Sequence, residues 1–335
     1  MGIPAASPAF GLFFDLRNPE PWSRPWPEFL ARSLEIARRA ESLGADALWF
    51  TEHHLFADGH LSQPLTWLSA VAAVTTSVRL GTGILVAPLH DPRHVAEQAA
   101  LVDALSGGRL ELGLGPGYVE AEYAAFGRSL EGRFGATERA VGRIRDLLAD
   151  RVGPRPVQNP VPLWLGFQGP RNARRAGRLG VGLLSLNRQC LQPYLDGLAE
   201  AGAGPAAARM GGTVDLVVAE DPEAAWPRIR PHYAHQLRTY AQAHDPAAQV
   251  PPAALEGRHG ANRPPASVRL SVLSPDEAVE LILKRIAGLP ARQVYTWASI
   301  AAMPDDLVEE HLRLFLTDVA PRVRARLARL AEVTA

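Results

Sequence analysis

The strongest constraint on this chain is an order of segments: a short apolar run, then a stretch with apolar residues every three or four positions, repeated along its length. The run Phe10-Gly11-Leu12-Phe13-Phe14 stops at the turn signals Asn18-Pro19-Glu20-Pro21 and reads as a strand. Phe29, Ser33, Ile36, Ala40 and Leu43 then make one helical stripe, which Gly44 ends. The same reading places later strands at 47–51, 79–86, 110–114, 163–165, 181–185, 213–218 and 294–297, with helical patterns between them. Thr137 is expected to cap the helix after the long excursion 115–136, which reads as a binding loop. Asp221-Pro222 and the capping-box sequence Ser274-Pro275-Asp276-Glu277 open two helices before the last strand, Asp305 caps the final helix, and Pro321 should kink it. Strands alternating with helices, closing at eight, predict an α/β fold of the (β/α)8 barrel type; an open doubly wound sheet is the competing layout. A right-handed crossover needs one helix, so residues 221–270 read as an insertion between strands seven and eight, within a single domain spanning 1–335. The Pro/Gly/Ala-rich part at 246–267 is expected to act as a lid.

In parallel α/β folds ligands sit at the carboxyl ends of the strands, so the residues found there are the candidates for chemistry. Strand two runs directly into Thr51-Glu52-His53-His54-Leu55. Neighbouring strand residues point to opposite faces, so one histidine of the pair enters the pocket unless the chain has already turned. A single pocket histidine suits general acid–base work, with Glu52 tuning it, and argues against a metal site, for which none of these residues is assigned. Gly81-Thr82-Gly83 and the glycines 113, 115 and 117 leave room for a flat ligand against backbone. Gly166-Phe167-Gln168-Gly169-Pro170-Arg171-Asn172 is a glycine-rich loop entering a helix N-terminus, where free amides, the helix dipole and Arg171 would hold a phosphate. Small residues, one histidine and a phosphate anchor together describe a flavin mononucleotide site.

Five ordered segments resemble the luciferase-like flavin-dependent monooxygenases, relatives of bacterial luciferase. They are Trp49-Phe50-Thr51-Glu52-His53-His54, Arg79-Leu80-Gly81-Thr82-Gly83, the stretch 105–113, the stretch 176–182, and the terminal part 297–321. The resemblance implies a TIM barrel that binds reduced FMN, supplied by a separate flavin reductase, and reacts it with dioxygen through a flavin hydroperoxide to oxygenate a small organic substrate. It implies His53 beside the flavin as the catalytic group, with Glu52 orienting it. Gly83 and Ile84 would carry a non-prolyl cis peptide against the cofactor. Leu114, Gly115, Pro116, Gly117 and Tyr118 would line the ring, and Gly166, Gln168, Gly169, Arg171 and Asn172 the phosphate. Phe14, His54 and Trp297, with Tyr118, would form substrate-side walls. Pro116 departs from the family, where this position often carries a phosphate-gripping arginine; binding would then rest on Arg171 and the helix N-terminus. A homodimer is also implied.

Composition excludes several other classes. Formal net charge is zero, which gives no footprint for nucleic acid, and no apolar stretch approaches membrane-spanning length. The lone Cys190 excludes an intrachain disulfide, and the first eight residues lack the basic-then-apolar order of a signal peptide, so a cytoplasmic protein is expected. Three other readings stay open: a deazaflavin-dependent hydride-transfer oxidoreductase of the same superfamily, a metal-dependent barrel hydrolase using Glu52, His53, Asp58 and His60, and a non-catalytic flavoprotein.

Overall fold

A computed structural model describes residues 7–258 and 270–334. The chain runs β1 (Ala9–Phe14), α1 (Trp26–Ser42), β2 (Ala47–Phe50), α2 (Pro64–Val74), β3 (Arg79–Thr82), β4 (Leu85–Val86), α3 (Pro92–Ser106) and β5 (Leu110–Gly115). It continues through α4 (Glu120–Ala125), α5 (Arg133–Asp150), β6 (Leu163–Leu165), α6 (Pro170–Arg178), β7 (Gly182–Leu184), α7 (Leu191–Glu200), β8 (Met210–Thr213) and β9 (Leu216–Val218). The last elements are α8 (Pro222–His244), β10 (Ser271–Leu273), α9 (Pro275–Ile286), β11 (Ala291–Trp297), α10 (Asp305–Leu314) and α11 (Ala320–Thr334). Every barrel pairing is parallel, and the ring β1-β2-β3-β5-β6-β7-β8-β11 returns to β1, with β4 continuing the third strand alongside β5. The expected (β/α)8 barrel is therefore what forms.

The barrel closes because its interior is filled by a few large rings set against very small residues. Trp49 stacks on Tyr295 at 5.2 Å, meets Trp164 edge-on at 6.1 Å, and Phe13 lies 5.3 Å from Tyr295. Gly81 and Gly182 make room for the indoles: a Cβ on either would lie 2.4 Å from Trp49 or 2.3 Å from Trp164. At the opposite end of the strands, buried Arg109 donates to the carbonyls of Ala72, Thr75, Val78 and Ser106, so one side chain ties α2, α3 and the entry to β5 together.

Several boundaries differ from the sequence reading, each for a local reason. The seventh barrel strand is β8, not 213–218; the chain leaves the barrel after Thr213, and β9 pairs instead with β10 in a separate two-stranded parallel sheet. The capping expectations at the two helices before the last strand hold: Asp221 accepts from the Glu223 and Ala224 amides, and Ser274 and Glu277 form a reciprocal box. Thr137 does not cap α5 but sits one turn inside it, donating to the Arg133 carbonyl. Asp305 is the first helical residue of α10 and pairs with Arg24 at 2.8 Å, leaving Pro304 at the cap position. The expected kink at Pro321 takes the form of a π-helical turn, Phe315–Val319, between α10 and α11. A wider turn relieves the carbonyl that a proline ring would crowd and whose hydrogen bond proline cannot make. Part of the expected lid at 246–267 lies outside the described residues. Among the described residues no helix is long and apolar enough to cross a membrane.

Substituting Gly81→Ala should overpack the Trp49 layer, whose stacked ring has nowhere to go, and cost about 2–3 kcal/mol. Urea unfolding monitored by tryptophan fluorescence measures that loss.

Candidate active site

Residues 51–54 emerge from β2 still buried, and the pleat sorts their side chains. His53 points one way, where its Nδ1 lies 2.9 Å from Glu122 Oε1 and its Nε2 lies 3.2 Å from the Tyr118 hydroxyl. Glu122 Oε1 also accepts the His54 amide at 2.7 Å. Glu52 and His54, two residues apart, share the other side: Glu52 Oε1 accepts from His54 Nε2 at 2.8 Å and from His90 Nε2 at 2.6 Å, while Oε2 accepts the Val86 amide at 2.6 Å. Glu52 therefore does not orient His53, as the sequence suggested; Glu122 does. Burial pushes the Glu52 carboxyl up, but the hydrogen bonds from His54, His90 and Val86 outweigh it and hold the group below the ordinary carboxylate range. Glu52, His54 and His90 bring ligand-type atoms within 4.8 Å of one another. Their nitrogen–oxygen separations are those of hydrogen bonds, shorter than the roughly 3.3 Å between ligands around tetrahedral zinc.

The His53 ring stands among other rings: His60 at 4.7 Å, Phe56 at 4.9 Å, Tyr118 at 5.3 Å and Tyr240 at 5.7 Å. Tyr240 comes from α8, whose side chains meet residues that follow β1 and β2. A buried charge network pins it there. Arg17 donates through Nε to Asp58 at 2.8 Å and through a second nitrogen to Thr239; His235 Nε2 reaches the same Asp58 oxygen at 2.8 Å. Gln236 faces Asp15 at 3.4 Å, and His60 Nε2 faces the Tyr240 hydroxyl at 3.2 Å. Burial, with Arg17 and the His53 ring nearby, drives His60 far below its usual range, so it is neutral at physiological pH. Burial likewise raises the Tyr240 and Tyr118 hydroxyls, which remain protonated. Burial also lifts Asp15 to about 6, against the opposing pull of Arg17.

A cavity of about 320 Å³ opens at the strand ends, on the side formed by β3 to β8. Gly83 and Ile84, joined by a cis peptide, line it with Gly166 and Gln168. Ser185, Asn187, Thr213 and Arg285 add polar groups, and Phe13 and Tyr295 add rings. Of the other residues expected to bind the cofactor, Gly115 packs against Ile84, where a Cβ would come within 2.7 Å of its side chain. Gly117 adopts a positive φ beside Val86, Leu114 is fully buried in β5, and the Pro116 carbonyl accepts from the Tyr123 hydroxyl. Gly169 takes the cap position of α6, and Asn172 donates to the Gln168 carbonyl at 3.0 Å. Arg171 does not reach the cavity. It lines an outer groove between α6 and α7 with Arg174, Arg178, Asp196 and Glu200.

The three expected substrate walls are not brought together. Phe14 faces away from the interior and stacks on Phe50 at 4.8 Å, because its neighbour Phe13 takes the inward position. Trp297 is buried 4.7 Å from Phe13 with its indole nitrogen donating to Asp215, and His54 packs on Phe126. The sequence reading missed Glu122, Arg17, Tyr240, Ser185, Asn187 and Arg285. Only Glu122 had a usable signal, an acid in the short amphipathic stretch of a loop already marked for binding; the rest depend on which elements meet.

The model of the luciferase-like monooxygenase family matches residues 10–295. A glucose-6-phosphate dehydrogenase of Amycolatopsis mediterranei, described as F420-dependent, is 33% identical over 190 residues, covering 50% of this chain and 57% of that one. The 4-hydroxyprotoasukamycin monooxygenase of Streptomyces nodosus subsp. asukaensis is 30% identical over 223 residues, 63% of this chain and 57% of that one. The chain spans about half the length of the curated relatives it matches. Among solved structures, the monooxygenase RslO1 of Streptomyces bottropensis superposes with a TM-score of 0.78 at 24% identity, over 94% of this chain and 99% of that one. An F420-dependent secondary alcohol dehydrogenase bound to an F420-acetone adduct gives a TM-score of 0.70 at 19% identity, over 93% and 99%. Both likenesses are of fold.

The raised carboxyl of Asp15 has a measurable consequence. A value of about 6, against 3.8 unfolded, means the folded state holds the proton more tightly. The resulting stability is present below pH 4 and is lost as pH rises to about 6, to the extent of about 3 kcal/mol. Asp15→Asn should remove this dependence, so its stability relative to the unaltered protein should grow between pH 4 and pH 7 in chemical denaturation.

Proposed function

This chain belongs to the luciferase-like monooxygenase family and is an oxidoreductase of that flavin- or F420-using superfamily, and we propose that it is a two-component monooxygenase using reduced FMN and dioxygen to oxygenate a small organic substrate. The observation that carries the reading is the setting of His53, 8% exposed, held at Nδ1 by Glu122 and enclosed by rings at the same end of the barrel as the glycine-lined cavity. The cavity's chemistry fits a flavin. Gly83, Gly166 and Gly212 leave backbone open to a flat ring, Gln168, Ser185, Asn187 and Thr213 offer hydrogen bonds, and Arg285 supplies the cation that Arg171 does not. Bound reduced FMN would supply the electrons that activate dioxygen.

The chain's own residues supply placement, proton handling and exclusion of water. Glu122 accepts a hydrogen bond from the Nδ1–H of His53, which fixes the tautomer and leaves Nε2 to accept from the Tyr118 hydroxyl. His53 Nε2 is thus the atom able to take a proton from a reacting group and return it. Phe56, Tyr118, Tyr240 and α8 above them keep water from His53. In this reading residues 221–270 serve as the lid, with α8 as its rigid part, and a flavin reductase delivers the cofactor. Leu101 and Leu105, exposed one turn apart on α3, offer an apolar strip for a homodimer. Nucleic acid and membrane play no part in it.

A deazaflavin-dependent hydride transfer is the second reading, favoured by the 33% identity to the F420-dependent dehydrogenase. Anaerobic titration with reduced FMN and with reduced F420 separates the two, and binding of F420 alone would overturn our choice. In whichever reaction is found, His53→Ala should lower turnover by about 100-fold or more while flavin affinity changes little. Glu122→Gln should fall between that variant and the unaltered protein, with a displaced pH profile. Equal turnover in all three would remove His53 from the chemistry.

A further inference from the structure

Several buried polar atoms around the α8 network have no partner among the described residues: Arg17 Nη1, Asp58 Oδ1, Gln236 Oε1 and Glu122 Oε2. A buried donor or acceptor left unmade is costly, so a cluster of them on one network marks a place where a polar ligand completes the set. Arg17 is the most telling member. Its side chain has no exposed surface, and its other nitrogens are fixed by Asp58 and Thr239. Its guanidinium lies 5.3 Å from the Phe56 ring and 5.1 Å from the Tyr240 ring, the same two rings that flank His53 at 4.9 and 5.7 Å.

Taking His53 as the reaction centre, as the proposed function does, we propose that the space between His53 and Arg17, which the Tyr240 ring fills here, is the substrate subsite. It takes a planar aromatic compound bearing a neutral phenolic or carbonyl oxygen, and Arg17 is the residue that reads that oxygen. Tyr240 marks the geometry: its ring lies 5.1 Å from the guanidinium and 5.7 Å from the imidazole. A substrate ring in its place would keep both contacts and lie between Phe56 and Tyr118. The charges select the oxygen. The cation rejects an ammonium group, and Asp15 and Asp58 beside it disfavour a carboxylate, leaving a neutral acceptor for Nη1. Entry requires the end of α8 from Thr239 onward to swing out, which releases Thr239 from Arg17. The earlier part of the helix stays anchored where His232 meets the Ala301 carbonyl at 2.9 Å and packs on Trp22 at 3.8 Å.

Equilibrium binding to the whole protein tests this without turnover, using 1-naphthol as probe and 1-naphthoate and decanal as comparisons. The expected result is saturable binding of 1-naphthol, at least tenfold tighter than that of the acid or the aliphatic aldehyde. Arg17→Lys, which keeps the charge beside Asp58 but loses Nη1, should weaken 1-naphthol at least tenfold. The double substitution R17M/D58N removes both charges together, guards against misfolding from an unpaired Asp58, and should do the same. Failure of the unaltered protein to bind 1-naphthol, equal binding of the three probes, or unchanged affinity in the double variant would each overturn the assignment. Reduced FMN titrated into the same samples keeps the questions apart. Loss of naphthol selectivity with FMN binding intact sinks the subsite alone, and naphthol binding without flavin binding sinks the proposed reaction.

Discussion

The fully buried Glu122 carboxylate holds the proposed reaction centre together. One oxygen takes both the His53 ring and the His54 amide, so the end of β2 is fastened to the loop after β5 at two points. A carboxyl group in such a place is tolerated only where hydrogen bonds replace its water. Those bonds dictate where His53 can point, which tautomer it holds and which nitrogen remains for chemistry. Alternation of side chains along the emerging strand does the rest. With His53 turned towards Glu122, Glu52 must turn the other way, and there it ties His54, His90 and the Val86 amide into a second cluster. Two carboxylates in similar burial therefore serve different partners, and a shift of one residue in register would exchange them.

Above this layer, α8 uses charge where a barrel would ordinarily use apolar packing. Arg17, Asp58 and Gln236 are buried, and His235 partly buried, between α8 and the strand ends, leaving atoms without a partner among the described residues that an apolar interface would not have. Buried ion pairs are poor sources of stability, because desolvation offsets most of their attraction. Their presence beside the candidate site is better explained by what they can recognise. The same low dielectric that makes an unfilled hydrogen bond costly makes a filled one selective. The cavity on the other side of the mouth is built differently, with glycine backbone, amide and hydroxyl groups, a single arginine and the Asp215 carboxylate. The division matches two ligands of different character, held side by side at the carboxyl ends of the strands.

Much of this was legible in residue order. The alternation of apolar runs and helical stripes determined a closed eight-stranded barrel, because parallel strands must be covered on both faces and joined by crossovers. The cluster after β2, the glycines of β3 and β5, and the loop at 166–172 were recognisable as strand-end features, since their position follows from the local pattern. Tertiary structure alone decided which of them meet. It gave His53 to Glu122 and not to Glu52, turned Phe13 inward in place of Phe14, and sent Arg171 to an outer groove while Arg285 reached the cavity. It also set β9 outside the barrel and laid Tyr240 beside His53, 187 positions earlier in the chain. The reason is physical: propensity and periodicity act over a few neighbouring residues. The partner of a buried charge is whatever the closing of the barrel and the docking of α8 bring within hydrogen-bonding distance.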